Sequence, residues 1–138
     1  MELTTFGAVL KFALDLESRL TQFYAEAAGA AGAQSLKGVL NELAAAGETN
    51  ARKLEQVRRQ QVNEMLLEPI HSANAASYEP DLTPPESDSG RLAAARSAES
   101  AAEQFYHDMA RLLSIPEVVR SFARIAEMHA QSRRKLSS

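Results

Sequence analysis

The chain has no cysteine and no tryptophan. The first absence excludes disulfides, thiolate metal sites and thiol catalysis, and fits a reducing compartment. Aromatic residues make up only 6% of the sequence, and valine and isoleucine are scarce, which leaves little from which to build a strand-based core. What dominates instead is Ala, Leu, Glu, Arg and Gln, all strong helix formers. No apolar run is long enough to cross a bilayer, and the first residues lack the basic start of a secretory leader. Their apolar positions are spaced amphipathically and interrupted by Lys11, Asp15 and Glu17, so the expected location is cytoplasmic. A net charge of −3 and a pI near 5.6 exclude the overall field that would recruit nucleic acid or an anionic membrane. Local basic clusters at Arg52-Lys53, Arg58-Arg59 and Arg133-Arg134-Lys135 read as solvated faces near helix ends, where cations complement the helix dipole.

The 138 residues suffice for one domain with a single core. Leu3, Phe6, Leu10, Ala13, Leu20, Tyr24 and Ala27 follow the three-four spacing of a bundle-facing helix, predicted over about 3–28 and ended by Gly29 to Gly32. A second stripe through Leu36, Leu40, Leu43, Leu54 and Val57 predicts a helix over 34–67, closed before Pro69. Pro69, Pro80, Pro84 and Pro85 then mark an irregular crossover over 68–87. Ser87 or Asp88 can cap a third helix over 88–113, and Ser114 a fourth over 115–136 with Pro116 in its first turn. The expected fold is all-α: a four-helix bundle of two antiparallel hairpins joined by a long crossover.

An internal repeat supports this division. Glu17-Ser18-Arg19-Leu20-Thr21-Gln22-Phe23-Tyr24 returns as Glu99-Ser100-Ala101-Ala102-Glu103-Gln104-Phe105-Tyr106, an offset of 82 residues. The same offset pairs Leu40 with Phe122, Leu43-Ala44 with Ile125-Ala126, and Arg52-Lys53-Leu54 with Arg134-Lys135-Leu136. A duplicated hairpin places equivalent side chains about a pseudo-twofold axis, where a carboxylate from each half can face one central site.

Extending each apolar stripe by its own rhythm exposes polar interruptions at Glu17, at Gly47 and Asn50, at Glu99, and at His129 and Ser132. In an antiparallel pair rising 1.5 Å per residue, Glu17 comes to a depth similar to that of Gly47 and Asn50. A carboxylate in an apolar seam costs several kcal/mol unless it is paired, hydrogen-bonded or metal-bound. Two explanations stand at this point. Glu17 and Glu99 either form a metal or ligand site, or they are neutral or bonded to His129, Asn50, Ser132, Tyr24 or Tyr106 as a relic that sets helix register. Tyr24 and Tyr106, two turns beyond the glutamates, are expected to be packed aromatics. Glu103 and His107, four residues apart, could clip a metal on one helix face but read better as an exposed polar face. The only Glu-x-x-His in the chain, Glu68-Pro69-Ile70-His71, contains proline and breaks the repeat.

A glutamate six residues before Phe-Tyr in the first helix of each hairpin, followed by a Leu-Ala or Ile-Ala pair in the second, resembles the rubrerythrin branch of the ferritin-like superfamily. The resemblance covers nearly the whole chain outside the crossover. It implies a four-helix bundle with two iron ions, one glutamate from each first helix and a Glu-x-x-His pair from each second helix, acting as a peroxidase, ferroxidase or iron store. Carried onto this sequence, the single glutamates are Glu17 and Glu99. The Glu-x-x-His positions hold Gly47 and Asn50 in one hairpin and His129 and Ser132 in the other. Gly47 is expected to leave space beside His129 for its ring, water or a small ligand.

These departures predict a degenerate di-iron site, no resident cofactor, and a non-enzymatic protein that binds, scaffolds or regulates as an oligomer. The alternative is a metal-binding or redox protein with a mononuclear Fe, Zn or Mn site on Glu17, Glu99 and His129. A metal-free pocket in which both carboxylates hold His129, raising its pKa, is a further arrangement. Ala25, Ala28, Ala44, Ala45, Ala93 and Ala94 are expected on outer faces smooth enough for close helix approach, which with the family resemblance predicts a homodimer.

Overall fold

The computed structural model describes residues 2–61, 67 and 69–137, with the backbone alone at 71 and 72. Four α-helices are present among them: α1 (Phe6–Ala30), α2 (Gln34–Gln60), α3 (Asp88–Leu112) and α4 (Pro116–Lys135). α1 packs chiefly on α2 and α3 on α4, so the chain forms an all-α four-helix bundle of two hairpins. Leu10, Leu16, Leu20, Leu40, Leu54, Phe105, Phe122 and Met109 are buried along the seam, each contributing roughly 1.5–3 kcal/mol.

Helix one starts later than expected. Glu2–Thr5 is a strand, β1, antiparallel to β2 (Pro69–Asn74). Thr5 is extended and its hydroxyl accepts from the Ala8 N–H at 3.1 Å, an N-cap that sets the start of α1 at Phe6. Leu3 is nonetheless buried, so an apolar residue counted toward the helical stripe serves as the inward face of a strand. α2 ends at Gln60, with Gln61 extended, short of the expected Leu67; residues 62–66 and 68, including Met65 and the Glu68 of Glu68-Pro69-Ile70-His71, lie outside the described residues.

The crossover is more ordered than its composition suggests. After β2, a 3₁₀ turn (Ala75–Tyr78) is capped by the Asn74 side chain. Tyr78 donates to Asp108 at 2.8 Å and sets its ring edge-on to Phe105 at 5.4 Å, while Arg19 pairs with Glu79 at 2.7 Å. The crossover is thus tied to both hairpins.

Ser87 caps α3 through Gly90 N–H at 3.1 Å. That leaves the Asp88 carboxylate free to accept from the Gly32 and Ala33 N–H groups at 3.0 and 2.9 Å, and these bonds hold its pKa below the usual carboxylate range. The start of α2 has no side-chain cap of its own, and the second hairpin supplies this anchor. At α4 the N-cap is Ile115 rather than Ser114, because proline at the first helical position requires its predecessor to be extended. Of the alanines expected on outer faces, Ala28 and Ala44 are buried within the bundle; Ala25, Ala45 and Ala93 are exposed.

Candidate functional site

The polar interruptions of the four stripes meet in mid-bundle. Glu17 from α1, Asn50 from α2, Glu99 from α3 and His129 and Ser132 from α4 are the buried polar residues of the described core, with Glu17 fully buried and His129 only 4% exposed. The imidazole of His129 lies between the two glutamates. Its Nδ1 is 2.7 Å from Glu99 Oε1 and its Nε2 is 2.8 Å from Glu17 Oε2. Each ring nitrogen has a carboxylate oxygen at hydrogen-bond distance, so the doubly protonated imidazolium can donate to both.

The tyrosines complete the arrangement by crossing between hairpins. Tyr24 donates to Glu99 Oε2 at 2.5 Å, and Tyr106 donates to Glu17 Oε2 at 2.6 Å. Both rings are buried, as expected of packed aromatics, and both hydroxyls also bond the glutamate of the opposite hairpin, the arrangement that the hydrogen-bonded alternative for Glu17 and Glu99 anticipates. Tyr106 also stacks on the His129 ring, with centroids 5.5 Å apart and planes 11° from parallel. Asn50 Nδ2 donates to Glu17 Oε1 at 3.2 Å. Ser132 is buried beside these groups but contributes no side-chain hydrogen bond to them.

The electrostatics follow from burial and charge. Desolvation pulls the His129 pKa down, but the charge and hydrogen bond of Glu17, then the hydrogen bond and charge of Glu99, outweigh it and raise the pKa to about 10. The ring is therefore cationic at neutral pH. Desolvation is also the first cause that holds both phenols well above their ordinary pKa, reinforced at Tyr24 by Glu99 and at Tyr106 by Glu17. Tyr24 and Tyr106 thus remain protonated donors.

The sequence-level picture of Gly47 needs correction. A Cβ at this position would overlap the Thr21 hydroxyl and come within 3.5 Å of the Glu17 carbonyl oxygen. The volume that glycine releases is therefore filled by α1 rather than left open beside His129. Thr21 lies one turn beyond Glu17, and in the sequence only that spacing marks it. Its hydroxyl and Asn50 Oδ1 are buried without a hydrogen-bond partner among the described residues. Glu103 and His107 do not converge on a shared site: Glu103 pairs with Arg133 at 2.9 Å, while His107 is exposed and 4.0 Å from Asp108. The side chain of His71 lies outside the described residues.

Four helices in two hairpins, with one glutamate from the first helix of each meeting in mid-bundle, give the architecture of the protein. A model of the ferritin-like domain matches residues 7–133, and the chain belongs to that family. No curated protein sequence and no solved structure matches it.

Proposed function

We propose that this chain is a rubrerythrin-like member of the ferritin-like family that has given up the di-iron centre, and that it acts without catalysis, as a binding, scaffold or regulatory protein. The observation that carries this reading is His129, whose ring nitrogens lie 2.7 and 2.8 Å from Glu99 and Glu17. A cation belonging to the protein stands between the carboxylates that the family uses to hold iron. The donor set supports the same reading. Gly47, Asn50 and Ser132 supply no carboxylate or imidazole where the family's Glu-x-x-His pairs would stand, and Thr21 occupies the volume beside Gly47. Two irons do not fit these residues.

The test is elemental analysis of purified protein after anaerobic Fe(II) loading and subsequent oxidation. The expected result is no stoichiometric iron. Two irons per chain, or ferroxidase turnover with two Fe(II) per chain, would overturn the reading.

A second reading, a mononuclear Fe, Zn or Mn site, is favoured by one observation: Asn50 Oδ1 is buried and unpartnered next to Glu17. It requires His129 to release one carboxylate, because the two now approach opposite nitrogens of the ring and share no common point at the 2.0–2.2 Å typical of such ligands. Uptake of one ion per chain that is abolished by Glu17→Ala, with helicity intact, would select this reading.

A further inference from the structure

Most of the lysines and arginines of this protein have a partner of their own. Arg19, Arg58, Arg91, Arg111, Arg133, Arg134 and Lys135 form ion pairs with carboxylates. Lys37 and Arg96 donate to the main-chain carbonyls of Ala28 and Leu136. Of those left without a carboxylate or carbonyl partner among the described residues, Lys11 stands on α1, and Arg52, Lys53, Arg59, Arg120 and Arg124 all belong to α2 and α4. Arg52 reaches only the Thr49 hydroxyl at 3.3 Å. Lys53, with three donors, reaches only the Met128 sulfur at 3.4 Å, a weak acceptor.

Four of these cations, Arg52, Lys53, Arg59 and Arg124, border two adjoining depressions. A cleft of about 280 Å³ between α2 and α4 is lined by Lys53, Gln56, Val57, Gln60, Ser121 and Arg124. A neighbouring groove of about 380 Å³ shares Gln56 and Gln60 and adds Arg52 and Arg59. From Arg52 to Arg59 the helix advances roughly 10 Å, comparable to a short phosphate chain. Among the described residues, Glu48 and Glu117 flank the cluster in sequence but form no ion pair with it, while Glu55 and Glu127 are engaged by Arg58 and Arg134. Helix-end electrostatics do not account for the grouping. They favour Arg59 near the C-terminus of α2, but Arg124 stands in the middle of α4, beyond the first and last turns where the dipole acts.

The geometry points to this cleft as a binding site for a soluble oligophosphate, a small molecule carrying consecutive phosphoryl groups. Lys53, Arg124, Arg52 and Arg59 supply charge from two sides, and Gln56, Gln60 and Ser121 can donate neutral hydrogen bonds to phosphoryl oxygens. No large hydrophobic side chain of α2 or α4 is exposed, which favours a dissolved anion over a lipid surface, where apolar insertion would be needed.

Calorimetric titration with inorganic tripolyphosphate tests the site. The expected result is saturable binding of one anion per chain that weakens as salt rises. Lys53→Ala with Arg124→Ala should lower the affinity at least tenfold, and Arg52→Ala with Arg59→Ala should lower it independently. The charge-matched control Arg111→Ala with Arg134→Ala, away from the cleft, should leave it unchanged. All these side chains are exposed, and circular dichroism verifies helicity in each variant. Absence of saturable binding, or equal loss in the control, overturns the proposal. So does capture by phosphatidylglycerol vesicles without tripolyphosphate binding, which would assign the cluster to a membrane surface.

Discussion

His129 contributes through a charge it would not otherwise keep in an apolar interior. Burial alone would neutralise it; Glu17 and Glu99 hold it cationic, with a pKa of about 10 against 6.5 in an ordinary setting. Because the folded pKa lies above the unfolded one, the stabilisation is complete below about pH 6.5 and disappears as the pH rises through 10. Urea unfolding between pH 6 and 10 should therefore show several kcal/mol of lost stability, with Tyr24 and Tyr106 entering only above pH 10 because their folded pKa values are also raised. A flat profile over that window would mean that the ring is neutral. His129→Ala leaves two buried carboxylates without their cation and should cost about 3–5 kcal/mol, largely removing the pH dependence. Tyr24→Phe and Tyr106→Phe each delete a hydrogen bond to a charged group and should cost about 1.5–3 kcal/mol, measured by the same unfolding curves. Glu17, Glu99 and His129 were legible as interruptions of apolar stripes. Which atom each one touches was not, because rotamers and ring orientation are settled only when all four helices close around them.

At the scale of elements, the approach of α1 to α2 depends on Gly47 and Thr21. A methyl group at position 47 meets the Thr21 hydroxyl, so Gly47→Ala should destabilise by about 1–3 kcal/mol through overpacking. In a Thr21→Ala background the obstruction is gone, and Gly47→Ala should stabilise by up to about 1 kcal/mol through helix propensity. A double-mutant cycle reads the coupling directly; additive effects would show that the contact does not limit the approach of the helices. The four helices were visible from periodicity, but the β1–β2 ribbon was not. Leu3 fits a helical stripe as well as an extended one, and its partner strand lies far away in a segment that the prolines mark as irregular. Pairing across such a separation leaves no periodic trace in a single short strand.

For the whole molecule, the crossed bonds matter most. Tyr24 joins hairpin one to Glu99 of hairpin two, while Tyr106 and His129 of hairpin two reach back to Glu17. The hairpins therefore share one polar centre and should unfold as a unit. Native-state hydrogen exchange should give the slowest amides of α1–α2 and α3–α4 the same opening free energy, and the His129→Ala variant should separate them. Two distinct values in the unmodified chain would show that the hairpins are held together by the apolar seam alone.

Periodicity marked the four helices, their pairing into two hairpins and the depth of the polar layer, because a helix's spacing is a local property written along the chain. Closure of the bundle settled the rest. It placed His129 between Glu17 and Glu99, turned Tyr24 and Tyr106 into cross-hairpin donors, filled the space at Gly47 with Thr21, and brought Lys53 beside Arg124. These outcomes depend on distances between segments far apart in sequence, and only the packed structure sets those distances.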